Sequence, residues 1–243
     1  MIFARERAEV IANKLKKLMV VRKFQLDDWK VKEGFFLRPE EADRAEEDWE
    51  TFDSRLMHWY GPDRHYWFRT VFTVPEEYDG KGLWLRIRTQ IEEWDDAKNP
   101  QFLVFLNGEV VQGADMNHRE VLLSEAATAG ETVTVDLQAY SGTLHPEFRL
   151  MADVEEVSES VKDLYYDIQV PLWAMDRMDQ EGKTAIDILT VLNDTISLLD
   201  LRDVFSDDFY RSVEAARAYI AKALYEDLAG DDTGIATCIG HTH

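Results

Sequence analysis

Apolar residues between about 59 and 157 recur at every second position, and this pattern constrains the fold more than any other feature of the chain. Tyr66, Phe68, Thr70, Phe72 and Val74 alternate with Trp67, Arg69, Val71 and Thr73. Leu83, Leu85 and Ile87 alternate with Trp84, Arg86 and Arg88, and Val133, Val135 and Leu137 with Thr134, Asp136 and Gln138. Phe102, Val104 and Leu106 run into Asn107-Gly108, a dipeptide that tolerates the positive φ of a tight hairpin, before Val110 and Val111 resume. Phe148, Leu150, Ala152 and Val154 close the series. Successive side chains of a strand point to opposite faces, so each segment has one face to bury. Five or six short strands of this kind predict an antiparallel sandwich, in which two sheets cover each other.

The flanks have a different period. Ile2, Phe3, Val10, Ile11, Leu15, Leu18 and Met19 recur every three or four residues, which predicts a helix over 2–21 docked on the rest of the protein, with Lys14, Lys16 and Lys17 on its polar face. Residues 30–58 are acidic and irregular, with Pro39, Glu40, Glu41 and the run Glu46-Glu47-Asp48, and read as solvated loop with one short helix. After Val157 the helical period returns, with helices expected over 158–179, 184–200 and 206–228, the second capped by Thr184. Ile235 to His243 reads as a buried strand whose neighbours are absent, so the chain is expected to be the front part of a longer protein. The expected class is α+β: a jelly-roll-like or galactose-binding-like antiparallel β-sandwich, an N-terminal helix, a helical segment and one strand of an incomplete catalytic domain. The expected boundaries are 1–58, 59–157, 158–229 and 230–243.

Charge narrows the partners. The 243 residues carry 27 Lys or Arg against 48 Asp or Glu, a net charge of −21, which repels nucleic acid and anionic lipid. The first 30 residues run the other way, with basic residues in excess. Arg5, Glu6, Arg7 and Glu9 interrupt the start, so it does not read as a signal peptide, and no apolar run approaches a membrane span. A lone cysteine, Cys238, makes no internal disulfide and points to a reducing, cytoplasmic setting.

Several clusters could carry chemistry. Trp59, Tyr60, His65, Tyr66 and Trp67 form a dense aromatic group beside Asp63 and Arg64, and aromatic faces stack on the apolar faces of sugar rings. They are either a sugar platform, with Trp59, Tyr60, His65 and Trp67 as its binding residues, or core filling. Trp94 with Asp95 and Asp96 poses the same choice. His241 and His243 share one face of the terminal strand and could begin a metal site, which needs three or four ligands, or could simply be solvated. His58, His65, His118 and His145 are scattered and form no ligand pair. Asn117-His118-Arg119-Glu120 is either a ligand-facing loop or an ordinary turn. Asn193-Asp194-Thr195 matches a glycosylation sequon but falls inside an expected helix. No phosphate loop, cysteine pair or nucleophile elbow is present in the sequence.

The segments Trp67-Phe68-Arg69 through Phe72-Thr73-Val74-Pro75, Leu83-Trp84-Leu85-Arg86 and Val104-Phe105-Leu106-Asn107-Gly108-Glu109 are similar to sandwich domains of many glycoside hydrolases. More narrowly, Asn107-Gly108-Glu109 with Val111-Gln112-Gly113 and Asn117-His118-Arg119-Glu120 resembles the N-terminal domain of glycoside hydrolase family 38 α-mannosidases, in their cytosolic and bacterial branch. Gly234 to His243 resembles the first strand of that family's catalytic domain. The resemblance implies a retaining, zinc-dependent α-mannosidase acting on mannose-containing oligosaccharides, with a carboxylate nucleophile and a second carboxylic acid lying beyond the chain. It implies that His243 is a zinc ligand, and that this portion alone is an inactive accessory region that braces the missing catalytic domain and helps assemble a homo-oligomer. Two other readings stand beside it: a stand-alone carbohydrate-binding module, and the front of an amidohydrolase-type metal hydrolase, whose barrel also opens on a His-x-His strand.

Overall fold

The computed structural model describes residues 3–90, 100–144, 147–179 and 181–228. They are α+β, with an N-terminal helix, open antiparallel sheets and a helical region after the strands. The chain divides into two compact units, one of them Val20–Val157 and the other the chain up to Met19 together with that from Ser158 on.

The helical unit begins with α1 (Ala4–Leu18), whose buried side is Ala4, Ala8, Ala12 and Leu15. The apolar residues that mark this helix in sequence are partly on the wrong side, since Val10 is 66% exposed. Alanine carries little hydrophobic weight, yet it lets two helix backbones approach closely, and the alanine stripe is what seats α1 in its core.

The β unit starts at once after it, with β1 (Val20–Leu26) and β2 (Asp28–Glu33). A short helix, α2 (Pro39–Arg44), leads to β3 (Glu50–Asp53) and β4 (Trp59–Tyr60). Then come β5 (His65–Thr73), β6 (Leu83–Arg88), β7 (Gln101–Leu106), β8 (Glu109–Ala114), β9 (Glu120–Ser124), β10 (Thr132–Tyr140), β11 (Glu147–Phe148) and β12 (Met151–Val157). One sheet has the order β1-β12-β6-β9, a second β3-β2-β5-β10-β7-β8, and β11-β4 forms a two-stranded pair. All of these pairings are antiparallel. Phe68, Val135, Leu137, Phe102 and Val104 from the six-stranded sheet share one core with Leu83, Leu85, Ile87, Ala152 and Val154 from the four-stranded sheet. The period-two segments thus pack as the sequence predicts, and the β7–β8 hairpin turns through Asn107 and Gly108 at φ 51° and 88°.

The expected boundary at 58/59 does not coincide with this division. Residues 20–58 are part of the β unit. In β2, Trp29 and Val31 alternate with Lys30 and Lys32, and β2 pairs with both β3 and β5. The charged partners of this short alternation, and the acidic run that follows, hide it in the sequence.

The outer face of the four-stranded sheet is ionic. Asp153 accepts from Lys23 at 3.0 Å and Arg88 at 2.5 Å, and Arg86 lies 3.4 Å from Glu120 and 3.9 Å from Glu155. Burial pushes the Glu155 carboxyl above the ordinary range, opposed by Arg86 and Lys23.

Helices α3 (Glu159–Met175), α4 (Lys183–Ser197) and α5 (Asp207–Ile220) complete the helical unit, and Ala221–Leu228 continues α5 with the wider π geometry. Leu164, Ile168, Leu172, Ile188, Leu192, Phe209, Val213 and Ile220 fill its core with Leu15. Ser206 caps α5, accepting from the Phe209 amide at 3.2 Å. Thr184 lies inside α4, which is preceded by Gly182 at the N-cap. No helix among the described residues is long and apolar enough to cross a membrane. The expected strand over 235–243, Cys238, His241, His243, His145 and the Trp94-Asp95-Asp96 group lie outside the described residues.

Candidate functional site

The aromatic cluster of 59–67 is taken apart by the strand period. Trp59, on β4, is 2% exposed and lies among Phe148, Tyr66, Phe68 and Phe102, with ring centroids 4.9–6.1 Å away. Trp67 is fully buried on the opposite face of β5, against Phe105 and Ala42 of α2. Neither indole offers a face to a ligand. Tyr60 is 56% exposed, and its carbonyl accepts from the Tyr66 hydroxyl at 2.9 Å. Of the four expected binding residues, His65 lines an open cavity that does not include the other three.

That cavity is an open groove of about 230 Å³ on the outer face of the six-stranded sheet. Cross-strand register builds it. His65 of β5 and Gln101 of β7 both pair with Tyr140 of β10, and one row along the sheet Trp67 and Leu103 both pair with Gln138. Residues two apart share a face, so His65, Tyr140, Gln101, Gln138 and Leu103 form one surface. The His65 and Tyr140 rings lie 5.0 Å apart at 33°.

Phe35 walls one side. Its ring meets His65 edge-on at 4.9 Å and stays 65% exposed. Gly34 sets this position: its amide donates to the His65 carbonyl at 2.9 Å, and its φ is +150°. A Cβ there would lie 2.6 Å from the Phe36 ring, whose carbonyl accepts from the Gln138 side chain. Gly34→Ala is therefore expected to cost about 1–3 kcal/mol and to move Phe35 off His65. Urea denaturation reads the first effect and the chemical shifts of the His65 ring the second; an unchanged midpoint would show that the turn tolerates a side chain.

The rim is polar. The 61–64 loop is tied to the end of β10 by Asp63 N–H to the Gly142 carbonyl at 2.7 Å, Ser141 N–H to the Arg64 carbonyl at 3.0 Å and Arg64 N–H to the Ser141 hydroxyl at 2.9 Å. This fastening holds the Asp63 carboxylate 3.1 Å from the Tyr140 hydroxyl, which donates to it. Partial desolvation and Asp63 together push the Tyr140 phenol above the ordinary tyrosine range, so it remains a donor. Arg64 turns away and pairs with Glu33.

The other expected loop resolves into a turn. Asp115 accepts from the backbone amides of Asn117 and His118, both at 2.7 Å, and Arg119 reaches the Met116 carbonyl at 2.8 Å. Burial would raise the Asp115 carboxyl, but these amides and the His118 ring hold it below the ordinary range.

Among the described residues no group of three or more His, Cys, Asp or Glu side chains is placed to hold a metal ion. Zinc needs three or four converging donors, so neither a zinc site nor the metal centre of an amidohydrolase is built by these residues. His243, the expected zinc ligand, lies outside them.

No protein-family model and no curated protein matches the chain. Solved structures resemble it in part. A β-glucuronidase from Ruminococcus gnavus, in complex with an N1-substituted uronic isofagomine, superposes with a TM-score of 0.38 at 15% identity, over 57% of this chain and 30% of that one. The same enzyme with D-glucaro 1,5-lactone gives 0.37 at 16% identity. A putative β-galactosidase from Bacteroides fragilis gives 0.39 at 14% identity, over 55% of this chain and 23% of that one. The chain spans less than a third of these proteins' length, and a likeness this distant assigns no activity. These findings correct the expectation of a family 38 α-mannosidase. No family model supports it, and the zinc its mechanism needs has no site among the described residues.

Proposed function

We propose that the β unit binds carbohydrate, one pyranose ring at a time, in the groove over His65 and Tyr140. The observation that carries this reading is an exposed aromatic wall, Phe35, standing beside His65, Tyr140 and two side-chain amides in an open cavity. Sugars present an apolar C–H face and a rim of hydroxyls. Phe35 and Tyr140 supply apolar ring surface for the face, and Gln101, Gln138 and His65 supply donors and acceptors for the rim. The volume of about 230 Å³ is below the ~300 Å³ at which pockets for drug-sized ligands begin, which suits a single ring.

The groove's lining favours binding over hydrolysis. Glycoside cleavage by the common route uses two carboxyl groups across the bond, roughly 5–10 Å apart. Among the described residues none that lines the groove is Asp or Glu, and Asp63 stands at its rim.

A ligand of about a dozen non-hydrogen atoms, at about −0.3 kcal/mol each, binds in the millimolar range. Titration of the full chain with methyl hexopyranosides, followed by NMR, is expected to shift His65, Gln101 and Tyr140 together. Phe35→Ala should weaken binding about tenfold. A flat titration across gluco-, galacto- and manno-configured glycosides would refute the reading.

A further inference from the structure

We infer that the groove selects its sugar by charge, taking neutral and amino pyranosides and rejecting uronates, with Asp63 as the specificity-determining residue. This rests on the proposed sugar binding. Among the described residues no Lys or Arg lines the cavity. The nearest cation in sequence, Arg64, is committed to Glu33. The buried Lys32 points elsewhere, donating from Nζ to the Ala42 carbonyl at 2.6 Å beneath α2.

Among the described residues, the charge fixed against the groove lining is the Asp63 carboxylate, held 3.1 Å from the Tyr140 hydroxyl. Its place is not adjustable, because the 61–64 loop is fastened to β10 on both sides by backbone hydrogen bonds. Among the described residues it accepts from the Tyr140 hydroxyl, and a carboxylate has capacity for several more donors. A sugar hydroxyl or a protonated sugar amine can fill that capacity. A sugar carboxylate cannot, since it has no proton to give, and it meets a like charge across the groove. The net charge of −21 adds to this repulsion at long range.

The test compares three probes on the full chain: methyl β-D-glucopyranoside, methyl β-D-glucuronide, and the methyl glycoside of glucosamine. At low salt the glucuronide is expected to bind at least about tenfold more weakly than the glucoside, and the amine more tightly than either. Asp63→Asn keeps the shape of the side chain and removes its charge, so it should collapse the glucoside-to-glucuronide ratio toward one. Raising ionic strength should shrink the ratio in the native protein and change it much less in the variant, where only the long-range repulsion of the net charge remains. A glucuronide that binds as well as the glucoside, or a ratio that Asp63→Asn leaves intact, overturns the charge selection while sparing the sugar site. Absence of binding by all three overturns this inference, and the parent reading falls with it when the galacto- and manno-configured glycosides also fail to bind.

Discussion

Trp59→Ala is expected to destabilise the β unit by about 3–5 kcal/mol, the range for deleting a buried aromatic side chain. The indole is 2% exposed and touches four other rings, so its removal leaves a cavity walled by Tyr66, Phe68, Phe102 and Phe148 that a rigid sheet cannot close. Its Nε1 has no hydrogen-bond partner among the described residues. An unpaired buried donor costs stability, so Trp59→Phe should recover most of the loss: it keeps a ring in the cavity and removes the stranded N–H. Amide exchange at β5 and β10, read against urea, measures both variants. If Trp59→Ala cost less than about 1 kcal/mol, the residue would be surface, and the sugar platform expected from the sequence would return.

Arg69→Ala should cost about 3 kcal/mol through the partner it abandons. Asp136, on the neighbouring strand β10, is 1% exposed and takes the Arg69 Nε at 2.5 Å. Burial pushes this carboxyl above the ordinary range, with Arg69 opposing the shift. Arg69 also reaches Asp43 of α2 at 2.7 Å and lies 4.7 Å over the Trp49 ring, so it ties the covering segment to the sheet. Removing it strands a buried charge and frees that segment, whereas Arg69→Ala with Asp136→Ala together should cost less than the two single changes added. Additivity of the two would show that the pair does not interact.

The sheets were legible because their inward positions are apolar and many of their outward positions polar, as in Leu83-Trp84-Leu85-Arg86-Ile87. The turn at Asn107-Gly108 was legible because few other dipeptides accept two successive positive φ values. Three things were hidden. The alanine face of α1 has the right period and too little hydrophobicity to register. Strand β2 is short, and its polar residues belong to an acidic stretch that composition assigns to loop. The groove cannot be read along the chain at all, because Phe35, His65, Gln101 and Tyr140 come from four segments, three joined by strand register and Phe35 brought in by the Gly34 turn. Density in sequence misled for the same reason: Trp59, Tyr66 and Trp67 are near neighbours in the chain, yet β5 sends Tyr66 and Trp67 to opposite faces, and Trp59 joins Tyr66 in the core.

The division of the chain has a consequence for how the protein is made. Val20 and Val157 are cross-strand partners, and the Ser158 amide donates to the Met19 carbonyl at 2.8 Å, so the β unit leaves the helical unit and returns to it at nearly one point. It is an insertion with adjoining ends, an arrangement that lets a domain fold independently of its host. During synthesis α1 emerges before the β unit, and α3, α4 and α5 follow only after the whole of Val20–Val157 has been translated. Helix α1 thus waits through that interval for the helices that bury its inner side. A leucine-rich face would spend that interval as an adhesive surface on the nascent chain, whereas Ala8 and Ala12 offer little for a wrong partner to grip. The small residues that let α1 pack closely at the end also make it safe to leave uncovered at the start.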